Sequence, residues 1–355
     1  MIGTEHAYSS SVENKKVALL GIMPPPLGGV SVHMQRVTDL FISQQNSVSF
    51  FSTEHWLRKF FPLYACKLIG WLLYKRPNSV YYHSTYLLYS LSELVLLVFM
   101  RFFLRYEITI IDHDCRHLSK KTARQKRIYA WIIQKIHRVV CIGISTYQSY
   151  QDNGIALTNY AIESAFIPPA LHRASAIKAT YPSSLHTFMQ EHTPLFLLSA
   201  AHLMLIDGKD IYGIDATSAM LSELKKEYPD AGLIIGLSTI GNHRYFAQLQ
   251  ARIKQYDVAE QIFFLHGNKE LWPLFEQIDI FLRPTLSDGD SISVREALYF
   301  NKPVVASDVV ARPHDVSLYN VYDADAYAQT VSLVLQDYIY GTQRKCNNLH
   351  QKSAL

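Results

Sequence analysis

The chain is short of cysteine, of charge and of long uninterrupted apolar runs. Four cysteines, Cys66, Cys115, Cys141 and Cys346, are spread over 355 residues without C-x-x-C spacing. That excludes a disulfide-stapled scaffold, and with no signal-peptide pattern at the N-terminus it leads to the expectation of a reducing cytoplasm. No solenoid-period repeat and no low-complexity segment occurs, so repeat arrays and disordered tails are set aside. No metal-ligand cluster is legible: Asp112, His113 and Asp114 are adjacent and alternate in direction on a strand, and His117 does not complete a set. Basic residues form no concentrated patch with a nucleic-acid motif, so no nucleic-acid partner is expected.

What is present is apolar material in quantity. Hydrophobic residues make up 49% and charged residues 18% of the chain, enough to bury cores in two domains of roughly 150 residues each. The formal charge of +4 is uneven: residues 1–172 carry 18 Lys+Arg against 10 Asp+Glu (+8), and the remaining 16 against 20 give −4. The basic half contains LRKFFPLYACKLIGWLLYKR (57–76) and YLLYSLSELVLLVFMRFFLR (86–105). Lys67 interrupts the first, and Glu93 and Arg101 interrupt the second, so neither supplies the roughly 20 apolar residues of a span. Two alternatives stay open: helices buried against a sheet, or helices lying on an anionic bilayer surface.

Short apolar runs alternate with helical patterns throughout. VALLGIM (17–23) reads as a strand ended by Pro24, Pro25 and Pro26, with a helix from about Val30 that places Val30, Met34, Val37 and Phe41 on one face. SVYYHS, ITIIDHD and VVCIGIS continue the series, and after a polar stretch PLFLLSAAH, AGLIIGLS, QIFFLHG, IDIFLRPT and PVVAS repeat it, with helices between. This alternation predicts parallel sheets with crossover helices: a Rossmann-like domain over 1–172, a polar linker over 173–193 with room for one helix in SSLHTFMQEH, and a second Rossmann-like domain over 194–325. A C-terminal helix over 326–355 is expected to return to the first domain before a polar tail.

RPTLSDGDSISVREALYFNKPVVASD (283–308) has the order strand, loop, helix, strand. Gly289 permits a tight turn, Ser291 or Ser293 caps the helix, and the free amides of its first turn favour an anion such as a diphosphate. Glu296, inside that helix, is suited to accept both hydroxyls of a ribose, and Asp288, eight residues earlier, to reach a second hydroxylated ring. The alternative is a capped surface helix, with Asp288 in an ordinary turn and Glu296 paired to Arg295 or Lys302 on a solvated face.

This segment resembles the signature of GT-B glycosyltransferases of family 4, in which two acidic residues separated by seven others precede a PVVAS-like strand. PPPLGGVSVHMQRV is similar to that family's first glycine-rich loop, ITIIDHD to its strand-end histidine segment, and IFFLHGNKELWPLFEQIDIFLRPT to the stretch leading into the acidic signature. The matches run in order over most of residues 17–313. The resemblance implies an α/β GT-B fold, with two Rossmann-like domains whose parallel sheets face across a cleft. It places Glu296 on the nucleotide ribose, Asp288 on the donor sugar, His113 beside the transferred sugar, and the amides of Asp290, Ser291 and Ile292 on the diphosphate. Gly28 and Gly29 would let the backbone approach donor or acceptor. The family's Arg and Lys that neutralise the diphosphate are replaced here by His202 and Tyr212, so Lys209, Arg283 and Arg295 are the substitutes considered.

What the resemblance implies in function is a retaining, metal-independent hexosyltransferase with no cofactor, using a UDP- or GDP-sugar as donor substrate. Its expected acceptor is a lipid-diphosphate-linked glycan of O-antigen or capsule assembly, including lipopolysaccharide. The expected location is the cytoplasmic face of the inner membrane, as a peripheral protein on an anionic surface. A catalytically silent scaffold for a partner transferase and a GT-B nucleotide-sugar epimerase are the alternatives.

Overall fold

A computed structural model describes residues 14–25, 29–53, 59–84, 87–113, 116–119, 121–164, 166–288 and 291–352. Two units divide the chain, Met1–Ile167 and Pro168–Leu355.

The first unit runs β1 (Lys16–Gly21), α1 (Gly29–Ser43), β2 (Ser47–Ser52), α2 (Phe61–Lys75), β3 (Ser79–Ser84), α3 (Leu87–Leu104) and β4 (Glu107–Asp112). It continues through α4 (Arg116–Ser119), α5 (Ala123–Ile133), β5 (Arg138–Ile142), α6 (Ile144–Asp152) and β6 (Tyr160–Glu163). The six strands form one sheet in the order β2-β1-β3-β4-β5-β6, and every pairing in it is parallel. Parallel strands covered on both faces are apolar along their whole length, which is why KVALLG and EITIID bury every residue after the first. Successive side chains go to opposite faces. Leu19 joins Met34, Val37 and Phe41 of α1, whereas Ala18 and Leu20 join Tyr64, Leu68 and Leu72 of α2 and Leu94 and Leu97 of α3.

Helices α2 and α3 are each apolar on two faces. Tyr64, Leu68 and Leu72 of α2 and Leu94, Leu97 and Met100 of α3 are buried against the sheet. On the outside Leu63, Leu73, Tyr74, Phe99, Phe102 and Phe103 are exposed. Glu93 points inward, fully buried, and accepts a hydrogen bond from the Tyr82 hydroxyl. No described helix is long and apolar enough to cross a membrane.

The second unit opens with α7 (Ala174–Lys178) and α8 (Ser183–Glu191), where a polar linker with one helix was expected. Ile177, Tyr181, Leu185 and Phe188, spaced four, four and three apart, pack into a core with Leu195, Trp272 and Phe281. Then come β7 (Leu195–Leu203), a hairpin of β8 (Leu205–Ile206) and β9 (Lys209–Asp210), α9 (Ile214–Leu224), β10 (Gly232–Gly241), α10 (His243–Gln255) and β11 (Ile262–His266). The unit finishes with β12 (Ile280–Arg283), α11 (Ile292–Tyr299), β13 (Val304–Ser307), β14 (Val316–Tyr319) and α12 (Ala324–Lys352). Its large sheet has the order β11-β10-β7-β12-β13-β14, parallel throughout. With β7 counted as the first strand this is the doubly wound order 3-2-1-4-5-6. α12 packs on this unit through Tyr327, Val331 and Leu335.

Candidate functional site

In an open parallel sheet, ligands sit outside the carboxyl ends of the strands where the order reverses. In the second unit that point lies between β7 and β12. Ser199 sits on β7, Arg283 ends β12, and α11 begins nine residues later, at Ile292. The Ser199 and Ser293 hydroxyls lie 3.2 Å apart, and the Arg283 guanidinium donates to the Ser199 carbonyl at 3.0 Å. The start of α11 is therefore tied to the strand end beside it. Ser291 caps the helix, its hydroxyl accepting from the Val294 amide at 3.4 Å.

Glu296 is buried on α11, at 6% exposure, which excludes the solvated-face alternative. Burial raises the Tyr181 hydroxyl pKa, and the charges of Glu270 and then Glu296 add to it. Asp288 is held by two arginines. Arg283 donates to both of its oxygens, at 2.8 and 2.9 Å, and Arg312 donates to Oδ2 at 2.7 Å. The three side chains expose only 13%, 7% and 1% of their surface for Arg283, Asp288 and Arg312. Burial alone would raise the Asp288 pKa, but the hydrogen bonds and charges of Arg283 and Arg312 outweigh it and hold the carboxyl below its ordinary value. Arg312 is fixed from behind by the Ser307 carbonyl at 3.4 Å and the Thr285 hydroxyl at 3.5 Å. The triad carries one net positive charge.

The other expected groups are dispersed. Tyr212, where the resemblance calls for a lysine, lies under Arg283, whose guanidinium carbon is 5.6 Å from the ring centroid. His202 and Lys209 are exposed, at the end of β7 and on β9. Lys209 lines a cavity of about 380 Å³ with Asp210, Asp215, Arg252 and Tyr322, and Asp288, Ser291 and Glu296 are not among its lining residues. Ile292 opens α11, half-buried, and Gly29 opens α1, exposed. Gly28, Gly289, Asp290 and Asp114 lie outside the described residues, as does the side chain of His117.

Sequence reasoning missed Arg312. Its signal was a lone arginine in VVARPHD, five residues beyond β13 and so at the carboxyl end of a strand next to β12.

In the first unit the order reverses between β1 and β3. His83 comes near the end of β3, His113 directly follows β4, and His33 lies in the second turn of α1 after β1. His83 Nδ1 and His113 Nε2 are 3.2 Å apart, and His33 meets His113 edge-on with ring centroids 4.7 Å apart. Burial lowers the pKa of all three, that of His113 to about 4, with mutual repulsion adding to it for His33 and His83. Asp112, beside them in sequence, is fully buried and accepts from the Tyr150 hydroxyl at 2.6 Å.

Residues 211–353 match the family model described as "Glycosyl transferases group 1". No curated protein sequence matches the chain. Among solved structures it is similar to a glycosyltransferase from Rickettsia africae, at 14% identity and a TM-score of 0.66, covering 91% of this chain and 89% of that one. HepE of Anabaena in complex with UDP is similar at 14% identity and TM-score 0.60, covering 91% and 90%. Sucrose-phosphate synthase of Thermosynechococcus elongatus is similar at 13% identity and TM-score 0.59, covering 92% and 91%. The domain match and the shared fold together support a glycosyltransferase of the GT-B type.

Proposed function

We propose that the protein transfers a sugar from a nucleoside-diphosphate sugar, with Glu296 accepting the ribose hydroxyls and the first turn of α11 receiving the diphosphate. The observation that carries this reading is a carboxylate buried on the helix that leaves the β7/β12 switch point. The Anabaena and Escherichia coli neighbours, crystallised with UDP and with UDP-2-fluoro glucose, support UDP-sugars as the first donors to test and GDP-sugars as the second.

Arg283 and Arg312 take the place of the family's Arg and Lys. Their two charges exceed the single charge of Asp288, leaving one positive charge for the departing diphosphate in a site of low dielectric, where it acts most strongly. Asp288, with both oxygens already engaged, fixes the two guanidinium groups, and any contact it makes with the donor sugar is shared with them. Transfer proceeds with retention and without a metal on the diphosphate: the anomeric carbon–oxygen bond to phosphate breaks, the bond to the acceptor oxygen forms, and the departing phosphate oxygen takes the acceptor proton.

The proposed acceptor is a lipid-diphosphate-linked glycan of O-antigen or capsule type, met at the cytoplasmic face of the inner membrane. The exposed aromatic face of α2 and α3 within the basic half of the chain supports it. Donor hydrolysis tests the transfer itself. The intact chain is expected to release nucleoside diphosphate slowly from one donor, and Glu296→Ala to release none above background. Failure of the intact chain to bind any UDP- or GDP-sugar would leave the silent-scaffold alternative in its place.

A further inference from the structure

We propose that His33, His83 and His113 form a three-histidine binding site for a divalent cation of the Zn²⁺ class at the switch point of the first unit. One ring nitrogen from each of the three lies within 4.8 Å of the others. In a tetrahedral zinc site with Zn–N bonds of about 2.0–2.1 Å, neighbouring nitrogens are about 3.3 Å apart. His83 Nδ1 and His113 Nε2 already stand at 3.2 Å, and the third nitrogen lies within 4.8 Å of both. The rings come from three separate elements, α1, β3 and the end of β4, so the set is assembled by the fold and not by a local motif.

A hydrogen-bonded histidine pair is the competing account of the 3.2 Å distance, and it leaves the third ring, that of His33 at 4.7 Å centroid to centroid from the His113 ring, without a reason. Three imidazoles are gathered in a space from which water is largely excluded, His33 and His83 being buried and His113 half-buried. Three nitrogen donors, with no thiolate among the described residues of the cluster, suit zinc and its first-row neighbours and not calcium or magnesium, which take oxygen ligands. Three protein ligands leave the fourth tetrahedral position for an oxygen donor such as water, a hydroxyl or a phosphate.

Metal binding is read without nucleotide, so its outcome is independent of the donor proposal for the second unit. The chelator-stripped full-length chain is titrated with Zn²⁺ against a chromogenic chelator, and with Co²⁺ while its visible absorption is recorded. One ion per chain is expected, with a Co²⁺ spectrum of tetrahedral intensity. His33→Ala and His83→Ala are each expected to weaken Zn²⁺ binding by about 100-fold or more, while His186→Ala, on exposed surface of α8, leaves it unchanged. Absence of saturable one-to-one binding, or binding indifferent to both substitutions, overturns the site. If the variants do not fold, X-ray absorption of the Zn²⁺-loaded natural chain decides. Three imidazole nitrogens at about 2.0 Å support the site, and sulfur or all-oxygen ligation overturns it.

Discussion

A carboxylate shared by two guanidinium groups titrates differently from one shared with water, and Asp288 makes this measurable. Its folded pKa is depressed, so the stabilisation it supplies is complete above the unfolded value of about 3.9 and is lost as pH falls through the lower folded value. Asp288→Asn leaves two buried arginines facing each other and is expected to cost roughly 3 kcal/mol at pH 7. Denaturant unfolding of both forms from pH 7 to pH 3 should show the gap shrinking below about pH 4, and a gap independent of pH would remove the ion triad from the account. Glu296 was readable from sequence because its eight-residue offset from Asp288 and the helix between fix its place locally. Arg312, His33 and His83 were not readable, since each acquires its partners only when separate strands are laid side by side.

Three of the four edge strands of the two large sheets, β2, β6 and β14, were missed in the sequence, and the fourth, β11, was read from QIFFLHG. The central strands β1, β4, β7 and β12 are buried on both faces and read as unbroken apolar runs. β2, β6 and β14 lie at the sheet edges, with mixed burial, and SVSFFS, YAIE and VSLY therefore carry no pattern distinct from loop. α8 was legible in SSLHTFMQEH, whereas α7 was hidden for another reason: a helix of five residues offers too few turns for periodicity to stand out from a polar linker. In α2 and α3 the pattern was visible but ambiguous, because both faces are apolar. Phe102 and Phe103 are 84% and 62% exposed, and seating each in a lipid interface is worth about 1.5–3 kcal/mol. Replacing both with Ser is expected to weaken sedimentation with anionic vesicles at least tenfold while leaving the melting temperature near that of the natural chain. Equal sedimentation of the two forms would contradict a membrane role for this face.

The whole chain is two parallel sheets, each with one reversal of strand order and each with a cluster of chemically able side chains at that reversal. The tandem architecture was legible because alternation of apolar strand and amphipathic helix is a property of the entire sequence and survives errors at single elements. Charge is divided as well, +8 in the first 172 residues against −4 in the rest, and the acidic signature lies in the second unit. Both central claims for that unit, nucleotide binding and its dependence on one buried carboxylate, meet in one comparison. Calorimetric titration with UDP and with 2′,3′-dideoxy-UDP should give the natural chain at least tenfold preference for the intact ribose, since a charge-assisted hydrogen bond contributes about 1.5–3 kcal/mol. Glu296→Ala should abolish that preference while leaving the weaker dideoxy binding in place. A natural chain that binds both nucleotides equally, or a variant that keeps the preference, would contradict the assignment of Glu296 to the ribose.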